Sequence, residues 1–150
     1  MKGRHVICFG NELHGDDGFG PRVYQELCAL TWPTDVSIFN VGIAGLNALR
    51  YLTDCRQAIL VDSLANAGHA GRIWQLTPQD LLDRKLGYSG HESGILYLLA
   101  ALKVICDPLP AISIIGVEAT AVTPFCIGLS PKTERAVGKT LRLIQEQLPA

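Results

Sequence analysis

Apolar positions along the chain fall into short unbroken runs separated by longer stretches with helical spacing. Val6-Ile7-Cys8-Phe9, Ala58-Ile59-Leu60-Val61 and Ile112 to Val117 are apolar without alternation, the pattern of strands buried on both faces. Val36 to Val41 reads as a further strand, and Gly71 to Thr77 alternates enough, through Ile73, Trp74 and Leu76, to be a strand at an edge. Between them, Pro21 to Leu30 carries Val23, Leu27 and Leu30 at helical spacing. Proline near its start fits a first turn, where the missing N–H is harmless. Gly45 to Thr53 repeats the pattern with Leu46, Leu49 and Leu52, and Thr77-Pro78 opens a short helix. Ser89-Gly90-His91-Glu92 has the form of a capping box ahead of the apolar run Ile95 to Leu102. Leu129-Ser130-Pro131 caps a last helix with Val137, Leu141, Ile144 and Leu148 on one face. Strands that alternate with helices and are apolar on both sides predict an α/β fold. The expected form is a single-domain three-layer sandwich, a mostly parallel twisted sheet with helices on both faces.

Composition narrows this little. The 150 residues and 48% hydrophobic content suit one core, so residues 1–150 are read as one domain without linker, repeat or low-complexity tract. With 13 basic against 14 acidic residues, nothing argues for a nucleic-acid or anionic-membrane partner. Cys8, Cys28, Cys55, Cys106 and Cys126 form no C-x-x-C pair and lie mostly in apolar runs, as in a reducing compartment. The N-terminus lacks the features of a signal peptide, and no apolar run reaches the length of a membrane span. A soluble, cytoplasmic, monomeric protein is the expectation.

The loop from Gly10 to Gly20 is rich in glycine and acid. Its glycines at 10, 15, 18 and 20 miss the dinucleotide fingerprint, and Glu12, Asp16 and Asp17 would repel a pyrophosphate. Gly138-Lys139-Thr140 resembles the tail of a phosphate loop but lies in amphipathic helix with Thr133 where the first glycine belongs. His91-Glu92 begins a zinc-peptidase motif whose second histidine is replaced by Ile95. No G-x-S-x-G elbow is present.

Two carboxylates and an imidazole remain, each at the end of an element: Asp17 after the first strand, Asp62 after the third, His91 at a helix start. Each has a plainer reading: Asp17 as a helix cap, Asp62 as a turn residue, His91 as a solvated surface histidine. A neighbouring Asp16 weakens the capping reading, because one aspartate suffices. A helix N-terminus disfavours imidazolium, leaving a neutral ring able to bind metal. In parallel sheets ligands collect beyond the carboxyl ends of the strands, where these residues fall. Together they describe an open O,O,N site for a borderline metal ion.

The chain closely resembles the hydrogenase maturation peptidases, which process the large subunit of nickel–iron hydrogenases. The likeness runs nearly end to end, through Gly10-Asn11, Gly15-Asp16-Asp17-Gly18-x-Gly20, Val61-Asp62, His91-x-x-Gly94, Ile115-Gly116-Val117-Glu118 and Gly128-Leu129-Ser130-Pro131. It implies that Asp17, Asp62 and His91 are both the metal-binding and the catalytic residues of an aspartyl-type endopeptidase. The implied partner is the large-subunit precursor, which loses a C-terminal extension after nickel insertion. The implied cofactor is nickel contributed by that substrate and not permanently bound. A non-catalytic nickel-dependent chaperone of the same subunit is the main alternative, and a small-molecule metallohydrolase a third. Where such proteins carry Asp-Gly-Gly-Thr-x-Gly after the second strand, this chain has Asn40-Val41-Gly42-Ile43-Ala44-Gly45. That segment falls where the resemblance places substrate contact, so it bears on which hydrogenase is served. Asp16 is expected to shape its loop, and Glu118 has no assigned role.

Overall fold

A computed structural model describes residues 2–83, 90–120 and 122–150, with only the backbone given for residues 90–93. Five strands form one sheet: β1 (Gly3–Phe9), β2 (Val36–Gly42), β3 (Cys55–Leu64), β4 (Ile73–Leu76) and β5 (Ala111–Glu118). Their order is β2-β1-β3-β5-β4. All neighbours are parallel except β4, which pairs antiparallel with β5 at the edge, Ile73 opposite Val117. The helices are α1 (Phe19–Cys28), α2 (Leu49–Thr53), α3 (Pro78–Asp83), α4 (Gly90–Ile105) and α5 (Pro131–Gln147).

Alternation along the strands divides the interior into two cores. Val6, Cys8, Ile59 and Val61 face α1 and α5, meeting Phe19, Val23, Leu27, Val137 and Ile144. Ile7, Phe9, Ala58, Leu60 and Leu64 face the other way, onto Leu52, Leu81, Leu98 and Leu102 of α2, α3 and α4. Each buried leucine or isoleucine side chain contributes about 1.5–3 kcal/mol relative to its exposed state. A sheet covered on both faces therefore requires central strands without alternation, which is the pattern the sequence shows. Among the described residues no helix is long and apolar enough to cross a membrane.

Several boundaries differ from the pattern-based expectation. Helix α1 begins at Phe19 and not Pro21, because the buried Phe19 belongs to the α1/α5 core and proline is tolerated within the first turn. Gly45 to Thr53 is divided into a 3-10 turn, Gly45–Ala48, and the single α-turn of α2. Strand β3 does not stop at Val61: it pairs with β5 through Asp62–Gly116 and Ser63–Val117 to Leu64–Glu118. Asp62 thus sits inside a strand and not in a turn after it. Ser89 of the expected capping box lies outside the described residues. Gly138-Lys139-Thr140 is helical, within α5.

The join between β1 and α1 is the tightest place in the molecule. A Cβ on Gly20 would overlap the carbonyl oxygen of Phe9, and one on Gly10 (φ 139°) would overlap that of Asp17. Neither neighbour is a flexible side chain, so the clash cannot be relieved without moving β1 or the 3-10 turn Gly15–Gly18. We expect Gly20→Ala to cost at least about 4 kcal/mol, enough to leave little folded protein. Chemical denaturation against the wild-type chain checks this, and a cost under about 1 kcal/mol would refute the close approach.

Candidate active site at the carboxyl ends of the strands

Connections from β1 and β3 diverge, β1 toward β2 on one side and β3 toward β4, beyond β5, on the other. In parallel sheets ligands collect at the strand ends beside such a divergence. Asp17 reaches this edge from the 3-10 turn that follows β1, and Asp62 from β3 itself. Both are buried, at 0% and 1% exposure.

Ser63 bonds to both acids. Its hydroxyl donates to Asp17 Oδ1 at 3.0 Å, and its backbone N–H donates to Asp62 Oδ1 at 2.7 Å. The Asn11 N–H donates to Asp17 Oδ2 at 3.0 Å and also to the Asp17 carbonyl at 3.0 Å. Asp17 therefore does not cap α1, whose N-cap position is Gly18. Sequence reasoning missed Ser63, since a serine beside an acid in an apolar strand has no distinguishing spacing.

His91 falls in the first turn of α4, and its side chain lies outside the described residues. Asp62 shares the strand parity of Leu60 and Leu64, which face the α4 side of the sheet. Among the described residues no group of three His, Cys, Asp or Glu side chains is gathered for an ion.

The remaining acids of the region are structural. Asp16 accepts from the backbone N–H of Thr120 at 2.8 Å, the N–H of Ser130 at 2.7 Å and the Ser130 hydroxyl at 2.8 Å. Ser130 precedes α5, yet its side chain makes no capping bond to the helix and turns to Asp16 instead. Glu118 accepts from the N–H groups of Ala67 at 3.2 Å and His69 at 2.9 Å, and from the Trp74 indole at 2.8 Å. Burial pushes both carboxyls upward, but these donors outweigh it, and both end below the ordinary carboxylate range.

Beside these strand ends the segment after β2 is apolar. Ile43, Ala44, Leu46, Gly94 and Tyr97 line an open cavity of about 520 Å³ where related proteins were expected to place an acid and a hydroxyl. Ile43 and Tyr97 are largely exposed.

The Asp16 bonds yield a testable consequence. Asp16→Ala takes a charged acceptor from three part-buried bonds at Thr120 and Ser130, at a cost of about 3 kcal/mol. A chain of this size should then melt roughly 10 °C lower. A carboxyl depressed in the folded state stabilises above its unfolded value, about 3.9, and loses that contribution as pH falls through the lower folded value. The gap between wild type and variant should accordingly be full at neutral pH and narrow below about pH 4. A gap that stays constant to pH 2 in thermal melts would contradict the assignment.

Comparison with known proteins places this geometry. The sequence model of the hydrogenase maturation protease family matches residues 21–147. A hydrogenase maturation protease homologue of Methanocaldococcus jannaschii is 28% identical over 144 residues, covering 93% of this chain and 92% of the relative. The hydrogenase expression/formation protein HupD of Bradyrhizobium diazoefficiens is 25% identical over 142 residues, covering 92% of this chain and 73% of HupD. Among solved structures, the hydrogenase 2 maturation peptidase of a Thaumarchaeota archaeon superposes with a TM-score of 0.73 at 31% identity, covering 98% of each chain. The maturating endopeptidase HybD of Escherichia coli superposes more closely, with a TM-score of 0.84, at 23% identity over 97% of this chain and 91% of HybD. On the strength of the family match and the 31% identical peptidase, this chain belongs to the hydrogenase maturation proteases.

Proposed function

We propose that the protein is an endopeptidase that removes the C-terminal extension of a nickel–iron hydrogenase large-subunit precursor once nickel has been inserted. Asp17, Asp62 and His91 read the nickel in that substrate. The observation that supports this reading is Ser63 at the strand ends, whose hydroxyl meets Asp17 and whose N–H meets Asp62, two carboxylates both withdrawn from solvent. Holding two like charges together out of water is costly, and nothing in the packing of the cores requires it. A cation or a shared proton offsets the cost, and a metal-bearing substrate supplies the cation.

Nickel is bound by the precursor before the two proteins meet. Two carboxylates and one imidazole are hard and borderline donors without thiolate, suited to completing the coordination of an ion held elsewhere and poorly suited to retaining one alone. Only a loaded precursor then brings its scissile amide against the acids. Hydrolysis adds the oxygen of a water to the carbonyl carbon and breaks the C–N bond, with protons passing to a carboxylate and to the departing amine. The acids serve as base and as metal ligands at the same strand ends. The unusual Ile43-Ala44 segment then bears on which hydrogenase is accepted.

Two outcomes are expected. Asp62→Asn keeps size and the hydrogen bond from Ser63 but removes the charge, so processing should fall at least about a hundredfold while the fold is retained. Normal cleavage by the folded variant, followed by mass spectrometry, would remove Asp62 from the mechanism. Chelator-treated enzyme should release the C-terminal peptide from nickel-loaded precursor and leave apo precursor intact. Equal cleavage of both would mean that nickel is not read, and activity restored only by zinc added to the enzyme would make it an ordinary metallopeptidase.

A further inference from the structure

The segment between β5 and α5 carries no charged residue from Glu118 to Lys132, yet it lies on the surface. Phe125 is 89% exposed, Ile127 80% and Val122 49%. Leu13, also exposed, joins them from the loop after β1. This is not a frayed loop. The Cys126 N–H donates to the Leu13 carbonyl at 2.9 Å, and the Cys126 carbonyl accepts from the Gly15 N–H at 2.6 Å, a one-residue parallel bridge opposite His14. Because Cys126 spends both its backbone groups on that bridge, its neighbours Phe125 and Ile127 are turned outward.

Phe125 has φ 57°, the left-handed region that favours glycine. A bulky aromatic there is an outlier, and such strain held by surrounding bonds points toward function. Its ring meets the edge of the His14 ring, with centroids 6.1 Å apart. Strain and an exposed ring together give the isolated chain nothing.

We propose that Phe125 and Ile127, with Val122 and Leu13, form a docking knuckle for the folded body of the hydrogenase precursor. The knuckle is distinct from the strand-end site that takes the scissile segment. The inference rests on the peptidase reading above and adds a second point of attachment to it. Its occupant follows from position and chemistry. The knuckle is bonded to the very turn that carries Asp16 and Asp17, so a protein whose tail reaches Asp17 lies against it. A membrane is disfavoured, because an interfacial anchor draws on basic residues beside its apolar ones and this segment has none. A short peptide or small molecule would not reach outward to the ring. Aromatic and aliphatic anchors with charged groups at their margin, here Glu12, Arg22 and Glu134 beside Ile127, are typical of a protein interface with an apolar centre and a polar rim.

The test uses the full chain and nickel-loaded precursor, with Phe125→Gly, Phe125→Ser/Ile127→Ser and the control Val104→Ser. Val104 is as exposed as the knuckle residues, but it lies near the far end of α4. Glycine relieves the strained φ while removing the ring, so the melting temperature should stay within a few degrees of wild type. The expected result is a rise of at least about tenfold in KM, and in the Kd of precursor binding measured directly, with kcat within twofold. The control should change neither. Unchanged KM and Kd in both knuckle variants would overturn the proposal while leaving the peptidase reading intact. A fall in melting temperature and kcat together would mean a structural role and overturn it as well. If wild type binds precursor without cleaving it and the variants lose binding, the knuckle stands and the peptidase reading falls. If wild type is a dimer that Phe125→Gly dissociates, the occupant is a second copy and the proposal is wrong.

Discussion

Everything at the strand ends depends on how closely α1 is allowed to approach β1. Phe9 and Gly20 are separated by ten residues, and only the absence of a Cβ at Gly20 lets the helix start against the last carbonyl of the strand. Gly10 makes the same concession to Asp17 from the other side. With those two contacts closed, the intervening loop has almost no freedom, and the Asn11 N–H meets both the carbonyl and the carboxylate of Asp17. A buried acid cannot be positioned by solvent or by long flexible neighbours. Here it is positioned by backbone packed against backbone.

The second acid is placed by a different device. Asp62 is fixed because β3 continues past its apolar stretch and keeps its register with β5, Asp62 against Gly116. A Cβ at Gly116 would collide with the side chain of Leu64, so the bare position lets Leu64 pack over the end of the β3–β5 pair. Ser63 then joins a residue held by sheet register to one held by a turn. The cluster is as rigid as the sheet, which suits chemistry requiring atoms placed within a few tenths of an ångström.

Much of this was legible in the amino-acid order. Unbroken apolar runs announced β1, β3 and β5, and with them the parallel sheet and the edge where chemistry collects. Asp16 and Asp17 stood out as adjacent acids where one would suffice. What escaped was local. The end of β3 was placed at Val61 because Asp62 and Ser63 are polar, while strand pairing depends on backbone bonds that side-chain polarity does not disclose. Ser130 read as a helix cap, and its hydroxyl is instead spent on Asp16, a partner 114 positions away. Phe125 was not singled out at all, because neither its exposure nor its backbone conformation leaves a trace in composition.

Asp16 also makes two distant loops into a single mechanical element. By gripping Thr120 and Ser130 together it closes the chain between them into a hoop, and the Cys126 bridge pins that hoop to the turn ahead of Asp17. A hoop anchored in this way can tilt as a body but cannot unfurl. Whatever stiffens it from outside stiffens the turn bearing Asp17, and whatever occupies Asp17 restrains the hoop in return. Such reciprocity is a thermodynamic necessity for linked equilibria. On the function proposed above, the entropy lost in ordering one is then already spent when the other is engaged, so holding a precursor and meeting its nickel would be cooperative without any change of fold.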